Sequence, residues 1–260
     1  MRPFLLLSIR AEQAAADDEL AAFSRFLGVG HDGHDDPHGP AGPDGSGGLV
    51  RLRLGVDDVE VGPGWLDRWS GVVLGGGAFT VSDDEATKSR AQLRAERDLG
   101  PVLDAVVEAD FPFLGACYGI GTLGRHQGGL VDRSHPEPVG PLAVTLTDAG
   151  LADPLFEGVP RDFAAYGGHK EAMTRLPGHA VRLATSAACP VQAFRVGRNV
   201  YATQFHPELD LVGLHTRIDT YATFGYFDPA EAATLRDAGS AVDVRHPMTL
   251  LRNFAALHRR

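Results

Sequence analysis

A thiol able to act as a nucleophile stands at a sharp break in the chain. Phe113-Leu114-Gly115-Ala116-Cys117-Tyr118-Gly119 is an apolar run ending in Gly-x-Cys-x-Gly, the form taken by a buried strand that turns abruptly into a helix with a nucleophile at the corner. Small residues on either side let the backbone adopt a strained turn and push the side chain out above the sheet edge. The amides that open such a helix favour the thiolate and offer a donor to a developing oxyanion. Far along the chain, Gln204-Phe205-His206-Pro207-Glu208 supplies an imidazole and a carboxylate. His206 is the candidate base for Cys117, and Glu208 the acceptor that selects its tautomer and stabilises the imidazolium.

His-Pro-Glu occurs twice, so the base has to be chosen. His135-Pro136-Glu137 sits in a polar, proline-broken stretch, Arg133 to Pro138, with no strand expected beneath it. The second copy follows Asn199 to Phe205, a strand-like run that holds an imidazole in place, and Pro207 constrains the turn between His206 and Glu208. The base is therefore assigned to His206, and His135 is read as loop. Gly75-Gly76-Gly77 has neither the G-x-G-x-x-G spacing nor the lysine of a phosphate loop. An oxyanion loop, whose backbone N–H lies beside the elbow amide of Tyr118, accounts better for so bare a backbone; tight-turn packing is the alternative. Gly167-Gly168-His169-Lys170-Glu171 either lines a pocket or is a plain loop. His31, His34, His38, Asp32, Asp35 and Asp36 lie in a Gly- and Pro-rich segment with nothing to preorganise them, so a solvated loop is expected there and no metal. Cys189, before Pro190 and without an elbow, reads as structural.

The elements that must position these groups follow from periodicity. Phe4 to Ile9 reads as a core strand and Asp17 to Leu27 as a helix; Gly28 to Gly48 reads as a solvent loop. Further strands are expected at Leu49 to Leu54, Gly71 to Leu74, Leu142 to Leu146, Val181 to Ala184, Val191 to Val196 and Val200 to Phe205, the last two joined by a Gly197-Arg198-Asn199 hairpin turn. Ser82 to Glu85 suits the start of a helix running toward Leu99, with a second helical stretch from Pro101 after a break at Gly100. Helices are also expected from Asp228-Pro229 and from Pro247. Strands alternating with helices imply a parallel α/β/α sheet with a late antiparallel hairpin, its site at the carboxyl ends of the strands. The 260 residues, 43% hydrophobic, suffice for one domain over 1–260. A net charge of -10 without a basic cluster argues against nucleic acid. No run approaches roughly twenty apolar residues, so no membrane span is expected. Two cysteines and no export signal point to free thiols in the cytoplasm.

The elbow, the Gln-Phe-His-Pro-Glu strand end and the upstream glycine turn together resemble the class I glutamine amidotransferases, in particular the amidotransferase domain of GMP synthetase and its stand-alone relatives. The similarity runs from about Leu49 to Phe254. It implies a flavodoxin-like fold in which Cys117, His206 and Glu208 hydrolyse the side-chain amide of glutamine through a γ-glutamyl thioester, without a cofactor. The ammonia passes to an acceptor, such as a separate synthetase subunit. The resemblance also implies oxyanion donors at Gly77 and Tyr118, and a substrate pocket that includes Gly76, Gly167, Gly168 and His169. Two positions depart from the family pattern: Gly121 stands where the family often has a substrate-holding Gln, and Ala78 where it commonly has Pro. No ATP-pyrophosphatase segment follows Phe254, so a complete GMP synthetase is not expected. The competing readings are a γ-glutamyl peptidase or amidase acting on a larger compound, a non-catalytic regulatory relative, and a cysteine-type α/β-hydrolase. The close-set His and Glu argue against the last of these.

Overall fold

The protein is described by a computed structural model covering residues 1–30 and 47–260. The His and Asp cluster at 31–38, and most of the expected 28–48 loop, lie outside the described residues. The chain opens with strand β1 (Phe4–Ser8), helix α1 (Gln13–Leu27), β2 (Leu49–Arg53), β3 (Val72–Leu74) and α2 (Arg90–Glu108). β4 (Phe113–Ala116) and α3 (Tyr118–His126) form the elbow, followed by β5 (Leu130–Asp132), β6 (Glu137–Leu146), α4 (Asp148–Leu151), β7 (Asp162–His169), β8 (Ala172–Arg175) and β9 (Val181–Thr185). β10 (Ala193–Val196), β11 (Val200–Thr203), α5 (Leu211–Tyr221), α6 (Ala232–Ser240) and α7 (Pro247–His258) complete it.

Among the described residues nine strands form one sheet in the order β2-β1-β3-β4-β11-β10-β9-β6-β7, and β5 and β8 form a separate pair. β2, β1, β3, β4 and β11 run parallel. The expected hairpin is β10–β11, turning at Gly197 with φ +58°, and the antiparallel wing continues beyond it through β9, β6 and β7. Alternation along β1 sorts the core into two layers. Phe4 and Leu6 join Leu20 and Phe23 of α1 and Leu250 and Phe254 of α7 on one face. Leu5 and Leu7 join Leu99 and Val102 of α2 and Leu123 of α3 on the other. The result is the expected three-layer α/β/α arrangement.

Three expectations need correction. α2 begins at Arg90, capped by the Ser89 side chain accepting from Gln92 N, while Glu85–Thr87 forms only a 3-10 turn. The helix also runs unbroken through Gly100 and Pro101, because Gln92, Ala95, Leu99, Val102 and Val106 keep one buried stripe in phase across them. Glu137 is not in a strandless loop. It opens β6, pairs in register with His169 of β7, and is buried.

Candidate active site

The parallel half of the sheet brings the candidate residues to one edge. Leu7 of β1 pairs with Leu74 of β3, Leu74 with Gly115 of β4, and Ala116 with Thr203 of β11. The residues that follow, Arg10, Gly75 to Gly77, Cys117 and Gln204 to Glu208, therefore emerge together. Cys117 sits at the β4–α3 corner with φ 53° and ψ -89°, a left-handed conformation costly for a non-glycine residue. Its N–H donates to Thr203 O at 2.8 Å, locking the elbow to β11. Gly115 and Gly119 make the turn possible, since a Cβ on Gly115 would lie 2.9 Å from Gly119 Cα.

His206 and Cys117 line one cavity, and the sulfur is near enough to raise the imidazole pKa. Its Nδ1 donates to Glu208 Oε1 at 2.8 Å, which leaves Nε2 for the thiol. Glu208 is fully buried, and Arg217 Nη2 donates to the same oxygen at 3.1 Å. Burial pulls the imidazole pKa down, but Glu208 and Cys117 outweigh it and raise His206 to about 9. Burial pushes Glu208 upward, yet His206 and Arg217 hold it well below the usual carboxylate range. The arrangement supports an imidazolium beside the sulfur at neutral pH.

The glycine turn packs against this set at three consecutive residues. A Cβ on Gly75 would come within 2.5 Å of the Glu19 carboxylate, on Gly76 within 2.5 Å of His206 Cε1, and on Gly77 within 2.6 Å of Ile9. Gly77 also lines the cavities on both sides of Cys117, whereas Gly76 lies against His206 and Cys117. Tyr118 opens α3, so its N–H lacks the partner that an interior helical residue has.

Gly167, Gly168 and His169 belong to the end of β7 rather than to a loop, and all three reach the cavity walls. The His169 ring is turned away into a second buried network. Its Nε2 donates to Glu137 Oε2 at 2.8 Å and its Nδ1 lies 2.9 Å from Glu171 O. Ser186 and Gln192 also donate to Glu137, and despite burial, which raises it, these partners hold that carboxyl low. Cys189 stands close enough for Glu137, His169 and Cys189 to place ligand atoms within 4.8 Å of one another. Its Sγ donates to Val191 O, and burial pushes its thiol up to about 12, as suits a structural cysteine. Glu171 accepts from Val81 N and Ser82 N at 2.6 and 2.7 Å. A side chain at Gly121 would start 3.2 Å from Val81 and 3.6 Å from that carboxylate. His135 remains a surface group, its Nδ1 against Ala188 O.

Comparison with known proteins gives this constellation a lineage. Residues 59–218 match the family model for glutamine amidotransferase class-I, more than half of the chain. The chain belongs to the class I glutamine amidotransferase family. Its relatives include one subunit of the glutamine-hydrolyzing GMP synthase of Thermoplasma acidophilum, 32% identical over 167 residues, 62% of this chain and 76% of that one. The glutamine-hydrolyzing GMP synthase of Thermosipho africanus is 34% identical over 115 residues, 44% of this chain. That match spans only 22% of the Thermosipho protein's length. A glutamine amidotransferase structure from Thermotoga maritima superposes with a TM-score of 0.71 at 18% identity, covering 99% of both chains, so this chain shares its flavodoxin-like fold. Among the described residues no helix is long and apolar enough to cross a membrane.

Sequence reasoning misses Arg10, Glu19, Arg217, Tyr221 and Tyr226 at this site. Arg10 Nε donates to Glu19 Oε1 at 2.7 Å and its Nη1 to Tyr221 Oη at 2.8 Å, and Glu19 also accepts from Ser8 Oγ. Tyr226 Oη donates to Gly77 O at 3.3 Å and lines both cavities. The sequence signals for them are faint: Arg10 directly follows an apolar strand, and Glu19 interrupts the buried face of α1.

Proposed function

We propose that this chain hydrolyses the side-chain amide of glutamine through a γ-glutamyl thioester on Cys117, releasing ammonia and glutamate. The observation that carries the reading is the strained thiol sharing a cavity wall with an imidazole whose Nδ1 is held by a buried carboxylate. Cys117 attacks the amide carbon as thiolate, and the N–H groups of Gly77 and Tyr118 receive the oxyanion. His206 protonates the departing ammonia, then takes a proton from the water that hydrolyses the thioester; Glu208, backed by Arg217, keeps the ring in place through both steps. Gly167, Gly168 and His169 contribute the substrate wall, His169 through its backbone.

The GMP synthase subunits among its relatives support an ammonia acceptor that is a separate synthetase subunit. Release of glutamate from glutamine by the purified chain, alone and with a GMP synthetase partner subunit, tests the reading. Cys117→Ala is expected to abolish turnover. Turnover that survives Cys117→Ala, or no glutamine hydrolysis under either condition, would refute it.

A further inference from the structure

Two cavities meet at Cys117, and the acid-base histidine belongs to one of them. His206 lines the larger, about 60 Å³, together with Arg10, Arg217, Tyr221 and Phe227. The smaller, about 30 Å³, runs along Tyr118, Gly121, Gln204 and Glu171 on the elbow-helix side. A group that protonates a departing amine must sit on the leaving-group side of the nucleophile. The elbow-helix side therefore takes the acyl half of the substrate, and the His206 side takes the amine.

Arg10 forms the polar wall of that side. Glu19 and Tyr221 fix its plane through Nε and Nη1, while Nη2 donates to no group among the described residues. A Cβ built on Gly76 would lie 2.5 Å from His206 Cε1, 3.3 Å from Cys117 Cβ and 3.4 Å from Arg10 Nη2. Acid, nucleophile and guanidinium thus crowd around one point. On this wall Arg10 offers a charge-assisted donor to a carboxylate carried by the departing amine. Val139, Leu209 and Leu214 make the remainder apolar. Arg10, Tyr221 and Phe227 all lie outside the residues that match the family model.

We propose that this chain also hydrolyses γ-glutamyl conjugates of small α-amino acids, with Arg10 receiving the carboxylate of the departing amino acid. The inference rests on the thioester reading above. Cys117 Sγ bonds to the γ-carbonyl carbon, the C–N bond breaks, and its electron pair takes the proton from His206, freeing the amino acid. Water then displaces the sulfur, its oxygen joining the carbonyl carbon and one proton going to His206. One conjugate and one water give glutamate and one amino acid.

Initial rates on the full chain would be compared for glutamine, γ-glutamylglycine and γ-glutamylisobutylamide, the last matching the glycine conjugate in shape but carrying no carboxylate. The glycine conjugate is expected to exceed the isobutylamide in kcat/KM by about tenfold or more. In Arg10→Gln/Glu19→Gln, which removes both members of the ion pair and leaves no lone buried charge, that ratio should fall toward one. Each ratio is internal to one protein, so partial loss of folding cancels, and the wild-type ratio decides if the variant does not fold. A wild-type ratio near one, or a ratio unchanged in the variant, overturns the inference while glutamine hydrolysis stands. Loss of Cys117-dependent turnover on all three compounds would instead overturn the thioester reading itself.

Discussion

At the scale of single residues, His206 is the group whose environment most directly sets behaviour. Its pKa of about 9, raised from 6.5, depends on Glu208 and Cys117 overcoming burial. If the imidazolium delivers the proton to the leaving amine, kcat/KM for glutamate release should fall as pH rises through about 9. Glu208→Gln removes the largest raising cause and keeps the burial that lowers the pKa, so the alkaline limb should move to lower pH; an unmoved limb would exclude Glu208 from this role. The same shift has a stability sign. A raised folded-state pKa contributes stability fully below about pH 6.5, the ordinary value, and loses it as pH climbs through about 9. Gly76→Ala probes the same imidazole sterically. The added methyl would stand 2.5 Å from His206 Cε1, so kcat should drop by about tenfold or more through displaced geometry, and the overpacking should cost about 1–3 kcal/mol in urea unfolding. An unchanged kcat would mean that the turn relaxes away from the ring.

At the scale of elements, what is legible in the sequence has a local signal. The elbow strand and helix are readable because an apolar run meets glycines on both sides of a thiol, and β11 because a strand run ends in Gln-Phe-His-Pro-Glu. The β10–β11 hairpin is readable from Gly197 and Asn199. Long-range pairings carry no such signal, which is why Glu137 reads as a loop residue; its partner His169 comes from another strand, and only the β6–β7 register joins them. Helix α5 escapes sequence reading altogether. Its amphipathic pattern is weak because buried Arg217 replaces an apolar residue on the inner face, so the element that delivers a partner to Glu208 hides behind the charge that makes it useful. The corrected start of α2 can be checked directly. Ser89 Oγ accepts from Gln92 N at 3.1 Å, and Ser89→Ala should cost about 1 kcal/mol in urea unfolding; no loss would place the start of the helix elsewhere.

Across the whole molecule, a chain with a net charge of -10 encloses a small interior cluster of opposed charges. Arg10, Glu19, Glu208, Arg217 and His206 are all buried, and together they tie β1, α1, α5 and the end of β11 into one unit behind Cys117. Arg217 Nη2 lies 4.0 Å from Glu19 and 3.1 Å from Glu208, so the two carboxylates share their cations. Such a cluster is a poor source of net stability compared with an apolar core, but breaking one member leaves an uncompensated charge out of water. Glu19→Gln should therefore destabilise the fold by about 3–5 kcal/mol. Arg10→Gln/Glu19→Gln should cost less than the sum of its two single changes, with a coupling of about 1–3 kcal/mol. Urea unfolding of the wild type, both single variants and the double variant completes that cycle. Strict additivity would show that the two charges act independently. The cluster would then be a set of separate local contacts, and the rigid placement of Arg10 beside the nucleophile would have to come from Tyr221 alone.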